Sequence, residues 1–258
     1  MLHDTLTTFR YQMRLLLREP IWIAIALFQP LLYLALFAPL LKPLVEAQAA
    51  QGAQGGFPTG DAWQIFVPGL LIQLGIFGSM FVGFSLIAEI RSGVIERMRV
   101  TPASRLGLLL GRVMRDTVVL LLQASLLTGV AVIFGLRVPV TGALITIVIV
   151  GLLGVSLSAL SYAAGMWLKS EDALAPLLNM VSVPVLLLSG ILLPMTLAPK
   201  WLRTLSAANP FRHVVDAARV AFLGNTGDEA LLWGLLSAVL LAVGGVVVAN
   251  RVFQRESA

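Results

Sequence analysis

The chain contains no cysteine, only three lysines and two histidines, and few charges of either sign. Of its 258 residues 12% are charged, against about 25% in an average soluble domain, and 58% are hydrophobic. The absence of cysteine excludes a disulfide framework, a thiolate metal site and thiol catalysis. The shortage of charge excludes a water-exposed surface over most of the chain, so the composition predicts a membrane protein.

Several kinds of reactive site are also missing. No lysine follows a glycine, so there is no phosphate-binding loop and this chain cannot hydrolyse a nucleotide by that route. His3 and His213 are predicted on opposite sides of the membrane, which leaves no metal cluster. An intramembrane serine protease using Ser189 would need a buried histidine, and His213 lies outside the spans. The sequence therefore predicts no catalytic site, no metal and no cofactor bound by this chain.

Six segments are long and apolar enough to cross a bilayer, which needs about 20 residues of helix. We predict an all-α membrane protein with six spans, at 20–41, 62–88, 117–136, 141–168, 173–193 and 230–250. These segments contain no carboxylate or histidine, which disfavours a proton- or sodium-coupled carrier.

The positions of lysine and arginine predict the orientation of the spans. If the N-terminus is cytoplasmic, 12 of the 18 basic residues lie on the cytoplasmic side and 6 on the other. Cytoplasmic loops are enriched in basic residues, so both termini are predicted inside.

Residues 2–18 have the pattern of an amphipathic helix. Leu2, Leu6, Phe9, Met13 and Leu16 recur at steps of three and four, and a neighbouring face carries Arg10, Arg14 and Arg18. Such a helix either lies in the cytoplasmic interface beside anionic headgroups or extends the first span into the cytosol. The sequence leaves both open.

Two connections are predicted outside the cell. The segment 42–61 is rich in Gln, Ala and Gly and is interpreted as a flexible loop. In the segment 194–229, Asn209-Pro210 is a strong helix start, and a polar face carries Arg212, Asp216 and Arg219. Upstream, the stretch around Trp201 predicts a second short amphipathic helix. The pair either dips into the outer leaflet or forms a solvated loop.

The stretch 89–116 holds nine of the 31 charged residues of the chain. The segment Glu89–Arg99 is expected to continue the second span as a helix, Thr101-Pro102 to break it, and Ser104 to cap the next helix. This helix–turn–helix either docks a partner protein or serves only to fix the topology. It lacks the interleaved aromatic residues of a nucleic-acid surface, so no nucleic-acid partner is predicted.

The order E-x-x-x-G-x-x-E-R-x-x-x-T-P-x-S-R, followed by L-x-x-x-G-R-V-x-R-D, resembles the cytoplasmic loop of ABC transporter type-2 permeases. The nearest group is the daunorubicin-resistance-like and nodulation-factor-exporter-like branch. The resemblance extends over essentially the whole chain, including Leu188-Ser189-Gly190 and Asn209-Pro210-Phe211, but the loop 46–56 has no counterpart.

The resemblance implies a permease that pairs with a second copy of itself and with two separate nucleotide-binding subunits, which carry ATP and Mg. Residues 2–18 would be the interface helix and 89–116 the cytoplasmic coupling loop. Coupling residues would be Glu89, Gly93, Glu96, Arg97, Met98, Arg99, Thr101, Pro102 and Arg105. Re-entrant external helices would use Pro194, Trp201, Asn209, Pro210, Asp216 and Arg219.

The predicted function is therefore the membrane subunit of an ATP-driven exporter of a hydrophobic or amphipathic substrate, such as a drug, lipid or glycolipid. The predicted location is the bacterial plasma membrane. The alternative is a membrane scaffold without transport activity, whose arginine-rich loop binds a partner or anionic lipid.

Overall fold

The computed structural model of the chain describes residues 2–18, 21–50, 62–94, 104–191, 195 and 198–255. Within these ranges the elements are α-helices and no strand occurs, as the sequence predicted. In chain order they are α1 (Leu2–Arg18), α2 (Ile21–Ala50), α3 (Ala62–Met80), α4 (Gly83–Arg91), α5 (Arg105–Ile133), α6 (Val140–Leu168), α7 (Glu171–Ser189), α8 (Lys200–Ala207), α9 (Pro210–Phe222) and α10 (Glu229–Arg255).

Five helical stretches in the described part of the chain are long and apolar enough to cross a membrane. They are Trp63–Arg91, Leu106–Ile133, Val140–Leu168, Glu171–Leu188 and Glu229–Arg255, and they correspond to the predicted second to sixth spans. The predicted first span lies within α2, where the described residues give a shorter apolar helix, Ala24–Leu36. The count of six therefore stays a prediction.

Helix α6 is the centre of the bundle. It packs against α3, α4, α5, α9 and α10. Its buried face is rich in small residues, which allow neighbouring helices to approach closely. Those small residues are Gly142, Gly151, Gly154, Ser156, Ser158, Ala159, Ser161, Ala163 and Gly165.

The helix of the second predicted span is interrupted between α3 and α4. Ser161 of α6 reaches into this break, where its hydroxyl donates to the carbonyl oxygen of Met80 and accepts a hydrogen bond from the Gly83 N–H at 2.8 Å. A Cβ at position 83 would collide with the Ser161 carbonyl oxygen, so only glycine fits there. The break is thus satisfied by a neighbouring helix, as backbone groups inside a membrane require.

Two loop predictions need correction. Helix α2 continues to Ala50, so the predicted external loop does not begin at 42. The reason is that Ala, Glu and Gln are good helix formers even where the sequence looks linker-like. The helix expected over Glu89–Arg99 ends instead at Arg91, and Gly93 adopts a left-handed φ of 72° that a regular helix cannot include. Residues 95–103 lie outside the described part of the chain.

The two short external helices predicted around Trp201 and after Asn209 are present as α8 and α9. The Asn209 side chain accepts a hydrogen bond from the Phe211 N–H at 3.1 Å, and Pro210 occupies the first turn. The predicted apolar face of α9 is buried against the bundle, where Val214, Val215, Ala218 and Phe222 are fully covered.

Candidate functional site

Helix α1 is held along the N-terminal part of α5 by small and polar residues. A Cβ added at Gly111 of α5 would lie 2.6 Å from the Thr8 Cβ, so the two helices touch through glycine. Thr8 and Gln12 are buried in this contact, whereas the apolar Leu2 and Leu6 remain exposed. Of the predicted apolar face of α1, only Leu2 and Leu6 are exposed, whereas Phe9, Met13 and Leu16 are half-buried, and the position of this helix at the membrane interface remains a prediction.

Asp4 connects the start of α1 to the start of α5. Its Oδ2 accepts a hydrogen bond of 3.0 Å from the backbone N–H of Ser104, the residue that precedes the first turn of α5. This bond stabilises the carboxylate and lowers the pKa of Asp4 from 3.8 to about 2. Ser104 thus occupies the predicted cap position, but its own side chain makes no capping hydrogen bond.

Glu89, on α4, contacts side chains of both α5 and α1. Its Oε2 pairs with Arg112 Nη2 of α5 at 2.5 Å, and its Oε1 accepts a hydrogen bond of 3.2 Å from Gln12 Nε2 of α1. The Arg112 side chain is only 3% exposed, so this pair lies largely out of water. Glu89 therefore joins α4 and α5, the helices on either side of residues 95–103, to the same N-terminal helix.

A second polar group lies one turn further along α5. The Tyr162 hydroxyl of α6 donates to Asp116 Oδ2 at 2.5 Å, and Arg115 donates to the Tyr162 oxygen at 3.3 Å. Asp116 lies within the apolar helical stretch Leu106–Ile133 and directly before the predicted third span, which begins at residue 117. The buried carboxyl group of Asp116 therefore has a cationic neighbour, Arg115, and a hydrogen-bond donor, Tyr162.

A more exposed ion pair connects the same region to α7. Arg91, at the end of α4, lies 3.2 Å from Glu171, in the first turn of α7. Both side chains are about half exposed, so the pair contributes little stability. It does place the end of α4 beside the tight connection between α6 and α7.

The predicted coupling and interface residues divide into three groups. Glu89 lies in the buried ion pair, Gly93 follows the end of α4, and the backbone of Arg105 begins α5. On α1 the basic residues are exposed: Arg10, Arg14 and Arg18. The remaining coupling residues lie outside the described residues: Glu96, Arg97, Met98, Arg99, Thr101 and Pro102.

The end of the bundle that is predicted to be external is organised around Arg219, which was predicted on the polar face of α9. It is instead buried, with Nη2 donating to the Gly190 carbonyl oxygen at 2.7 Å and Nε to the Ile65 carbonyl oxygen at 3.4 Å. It therefore ties α9 to the end of α7 and the start of α3.

The other predicted external residues are more accessible. Asp216 is partly exposed and lies 3.5 Å from Arg212, and Trp201 on α8 is 68% exposed. Pro194 lies outside the described residues. A re-entrant position for α8 and α9 stays a prediction.

Sequence reasoning missed most partners of the predicted residues. The motif that ends in Arg112 and Asp116 was recognised, but neither residue was given a role. Their neighbours Asp4, Gln12 and Tyr162 carry no local signal, because they lie 100, 77 and 46 residues from the groups that they bind. Only the fold brings them together.

Comparison with known proteins places the chain in a family. A family model described as ABC-2 type transporter matches residues 3–223. The chain belongs to the ABC-2 type transporter family. The matched range covers all of α1 except its first residue, the helices on both sides of residues 95–103, and α9.

The relatives of the chain are transport permeases. The chain is 26% identical over 238 residues to the daunorubicin resistance ABC transporter permease protein DrrB1 of Streptomyces coeruleorubidus, covering 89% of this chain and 77% of that protein. It is 26% identical to the putative transport permease ycf38 of Cyanophora paradoxa, over 80% and 69% of the two chains. It is 27% identical to the probable multidrug ABC transporter permease YbhR of Escherichia coli, over 77% and 54%. No solved structure matches the chain significantly.

These findings give the general character of the protein. It is a multi-pass membrane protein and an ABC transport permease, in a family whose members work with ABC ATPase subunits.

Proposed function

We propose that the chain is the membrane subunit of an ATP-driven exporter, and that residues 95–103 form the element that docks into its ATPase subunit. The observation that carries this proposal is the arrangement on both sides of that segment. Glu89 lies just before it and Ser104 just after it, and both are bound to α1. A force applied to the segment would therefore reach α1, α4 and α5 together.

The ATPase is a separate protein in this proposal. The chain has no phosphate-binding loop, so ATP and Mg bind to the partner, of which two copies pair with two copies of this permease. Closure of the two ATPase subunits around ATP pushes the docking segments, and the permease helices rearrange to release substrate outside.

The substrate in this proposal is hydrophobic or amphipathic. Two relatives are named for resistance to daunorubicin and for multidrug transport, which supports a drug-like compound. The apolar walls of the bundle agree with that class. The protein would lie in a bacterial plasma membrane with both termini in the cytoplasm, as the 12 against 6 distribution of basic residues favours.

Alanine substitution in the docking segment tests the proposal. The variant Glu96→Ala/Arg97→Ala is reconstituted with the ATPase subunit, and co-purification and substrate-stimulated ATP hydrolysis are measured. We expect both to fall at least about tenfold, since two charged contacts at a docking surface contribute more than 1.4 kcal/mol together.

Arg255→Ala is the matched control. Arg255 is an exposed basic residue at the end of α10, on the same predicted side but away from the docking segment. It should leave assembly and ATP hydrolysis unchanged. If the double variant assembles and hydrolyses ATP as well as this control does, residues 95–103 do not dock the ATPase.

A further inference from the structure

A crevice runs between α2, α3 and α5 in the described part of the bundle. It consists of two adjacent cavities of about 490 and 240 Å³, which share Ala26, Gly78 and Phe81 as wall residues. The larger cavity extends to Leu16 of α1 and to Asp116 of α5, at the cytoplasmic end of the predicted topology.

The smaller cavity reaches Gln29 of α2 and Gln73 of α3, near the middle of the apolar stretches of these two helices. Together the two cavities have the size of a pocket for a drug-sized molecule.

The middle of the crevice contains an amide oxygen that has no hydrogen-bond partner among the described residues. Gln73 is 6% exposed and lines the smaller cavity, and its Oε1 accepts no hydrogen bond from any described residue. A buried amide oxygen in an apolar environment is costly unless a donor reaches it. A ligand that carries a hydroxyl or amine N–H would supply that donor.

An aromatic surface lies beside this amide. Phe77, Phe81 and Phe84 follow one another along α3 and α4, with ring centroids 6.2 and 6.1 Å apart and ring planes within 9° and 8° of parallel. Phe77 and Phe81 line the smaller cavity, and Phe81 and Phe84 line the larger one. The rings are only partly buried, so they present an apolar surface to the crevice.

The charged groups at the inner end of the crevice compensate each other. Arg115 Nε lies 3.0 Å from Asp116 Oδ1, and Tyr162 donates to the other carboxylate oxygen. The wall therefore carries no excess charge that would favour an anion. Its limited volume also excludes a long saccharide or other polymer lying wholly inside it.

We propose that this crevice binds the exported compound, and that the compound is a drug-sized amphipathic molecule with an apolar ring for Phe77 and Phe81 and a hydrogen-bond donor for Gln73. The inference rests on the proposed export function and specifies its substrate class. Gln73 is the specificity residue in this account, since it distinguishes donors from otherwise similar apolar compounds.

Two fluorescent dyes test the site in the full-length chain without ATP. Rhodamine 6G and tetramethylrhodamine ethyl ester share the ring system, the ester and the positive charge, but only rhodamine 6G carries amine N–H donors. Binding to the chain in lipid nanodiscs is followed by fluorescence anisotropy, with empty nanodiscs as background. We expect the native chain to bind rhodamine 6G about fivefold more tightly, which corresponds to one hydrogen bond.

Three variants locate the binding. Gln73→Met should abolish the preference for rhodamine 6G while leaving the melting temperature of the ligand-free chain unchanged or higher, because it removes an unsatisfied amide. Phe81→Leu should weaken the binding of both dyes severalfold. Phe28→Leu is the matched control, since Phe28 on α2 is 67% exposed and does not line the crevice.

The proposal is overturned if neither dye binds above background, if both bind the native chain equally, or if Gln73→Met retains the preference. A Gln73→Met chain with a clearly lower melting temperature would assign the amide a structural role instead. Efficient disulfide formation between two Phe81→Cys chains would show that a second copy fills the crevice, which also overturns it. None of these results bears on docking of the ATPase, which is measured separately by co-purification.

Discussion

At the scale of single residues, Glu89 on α4 is paired with a buried cation, Arg112 on α5. Arg112 has lost almost all contact with water and lies against the Glu89 carboxylate, while Gln12 binds the other carboxylate oxygen. Removing one charge from such a pair leaves the other in a poorly solvated position. The exposed pair of Arg91 and Glu171 has no such penalty.

Glu89→Gln should therefore destabilise the chain by about 1–3 kcal/mol, because the buried Arg112 then loses the charge of the Glu89 carboxylate although the side-chain shape is kept. Glu171→Gln makes the same chemical change in the exposed pair and should cost less than about 1 kcal/mol. The unfolding free energy of both variants is measured by titration with sodium dodecyl sulfate in mixed micelles. Equal losses in the two variants would contradict a special role for Glu89.

Asp4 should make the stability of the folded chain depend on pH, in a direction that follows from its lowered pKa. Its pKa is lower in the folded chain, about 2, than the ordinary value of 3.8, so the folded chain favours the ionised form. The stabilisation of the folded chain by ionised Asp4 is complete above about pH 4 and is lost as the pH falls from there toward 2.

Hydrogen exchange at the start of α5 measures this effect. The protection factor of the Ser104 amide should stay constant from pH 8 to 5 and decrease below about pH 4. Asp4→Ala should lower protection at every pH, whereas Asp4→Asn, which keeps an acceptor oxygen, should retain much of it and remove the pH dependence. A protection factor that falls between pH 7 and 5 would argue against Asp4 as the responsible group.

The same residues show what sequence can and cannot predict about the site. Glu89 and Gly93 were recognisable because they belong to a local motif with fixed spacing. Asp4 and Gln12 were not, because nothing near them in sequence indicates a partner on α5 or α4. Arg219 was assigned to a polar face by helical periodicity, but periodicity does not show that the end of α7 and the start of α3 lie beside it and offer it carbonyl oxygens.

At the scale of helices, the break between α3 and α4 separates the membrane part of the second span from the part that leads to the docking segment. The Ser161 hydroxyl bridges the break, and Gly83 lets α6 approach it. The aromatic residues Phe77, Phe81 and Phe84 line up across the same break. A movement of α4 would therefore alter the crevice wall as well.

Substitutions at the break should disturb stability more than the same changes elsewhere. Ser161→Ala leaves the buried Gly83 N–H without its side-chain acceptor and should cost about 1–3 kcal/mol. Gly83→Ala adds a methyl group that collides with α6 and should be at least as harmful.

Gly129→Ala is the control for the break. Gly129 is a helical glycine of α5 with no atom near its Cβ position, so alanine should leave the chain within about 1 kcal/mol of the native stability. All three variants are compared by thermal unfolding in the same detergent. If Gly83→Ala proves as mild as Gly129→Ala, the break is not tightly packed as described.

The helix boundaries, like the site residues, could be predicted only in part from the sequence. The spans were recognisable because membrane thickness sets their length, and charges mark their ends. At α5 the helix begins at Arg105, before the predicted span at 117, and charged residues in between are paired, Arg112 with Glu89 and Asp116 with Arg115 and Tyr162. Composition also misjudged α2, whose helix extends through residues that resemble a linker.

At the scale of the whole molecule, the chain is one bundle built around α6, with polar anchoring at both ends. Glu89 and Asp4 fix α1 at the predicted cytoplasmic end, and Arg219 fixes α9 at the other. The sequence contains no phosphate-binding loop, so the proposed transport takes its energy from a partner subunit. The account therefore depends on contact between residues 95–103 and an ATPase subunit.

The absence of cysteine allows a direct test of that contact. A single Met98→Cys substitution is labelled with a photoactivatable maleimide in membranes that contain this chain and a co-expressed ABC ATPase subunit of the same organism. Lys200→Cys, at the start of α8 on the predicted external side, is labelled in parallel. The account predicts a cross-link to the ATPase subunit from position 98 and none from position 200. Cross-linking from position 200, or equal yields from the two positions, would contradict it.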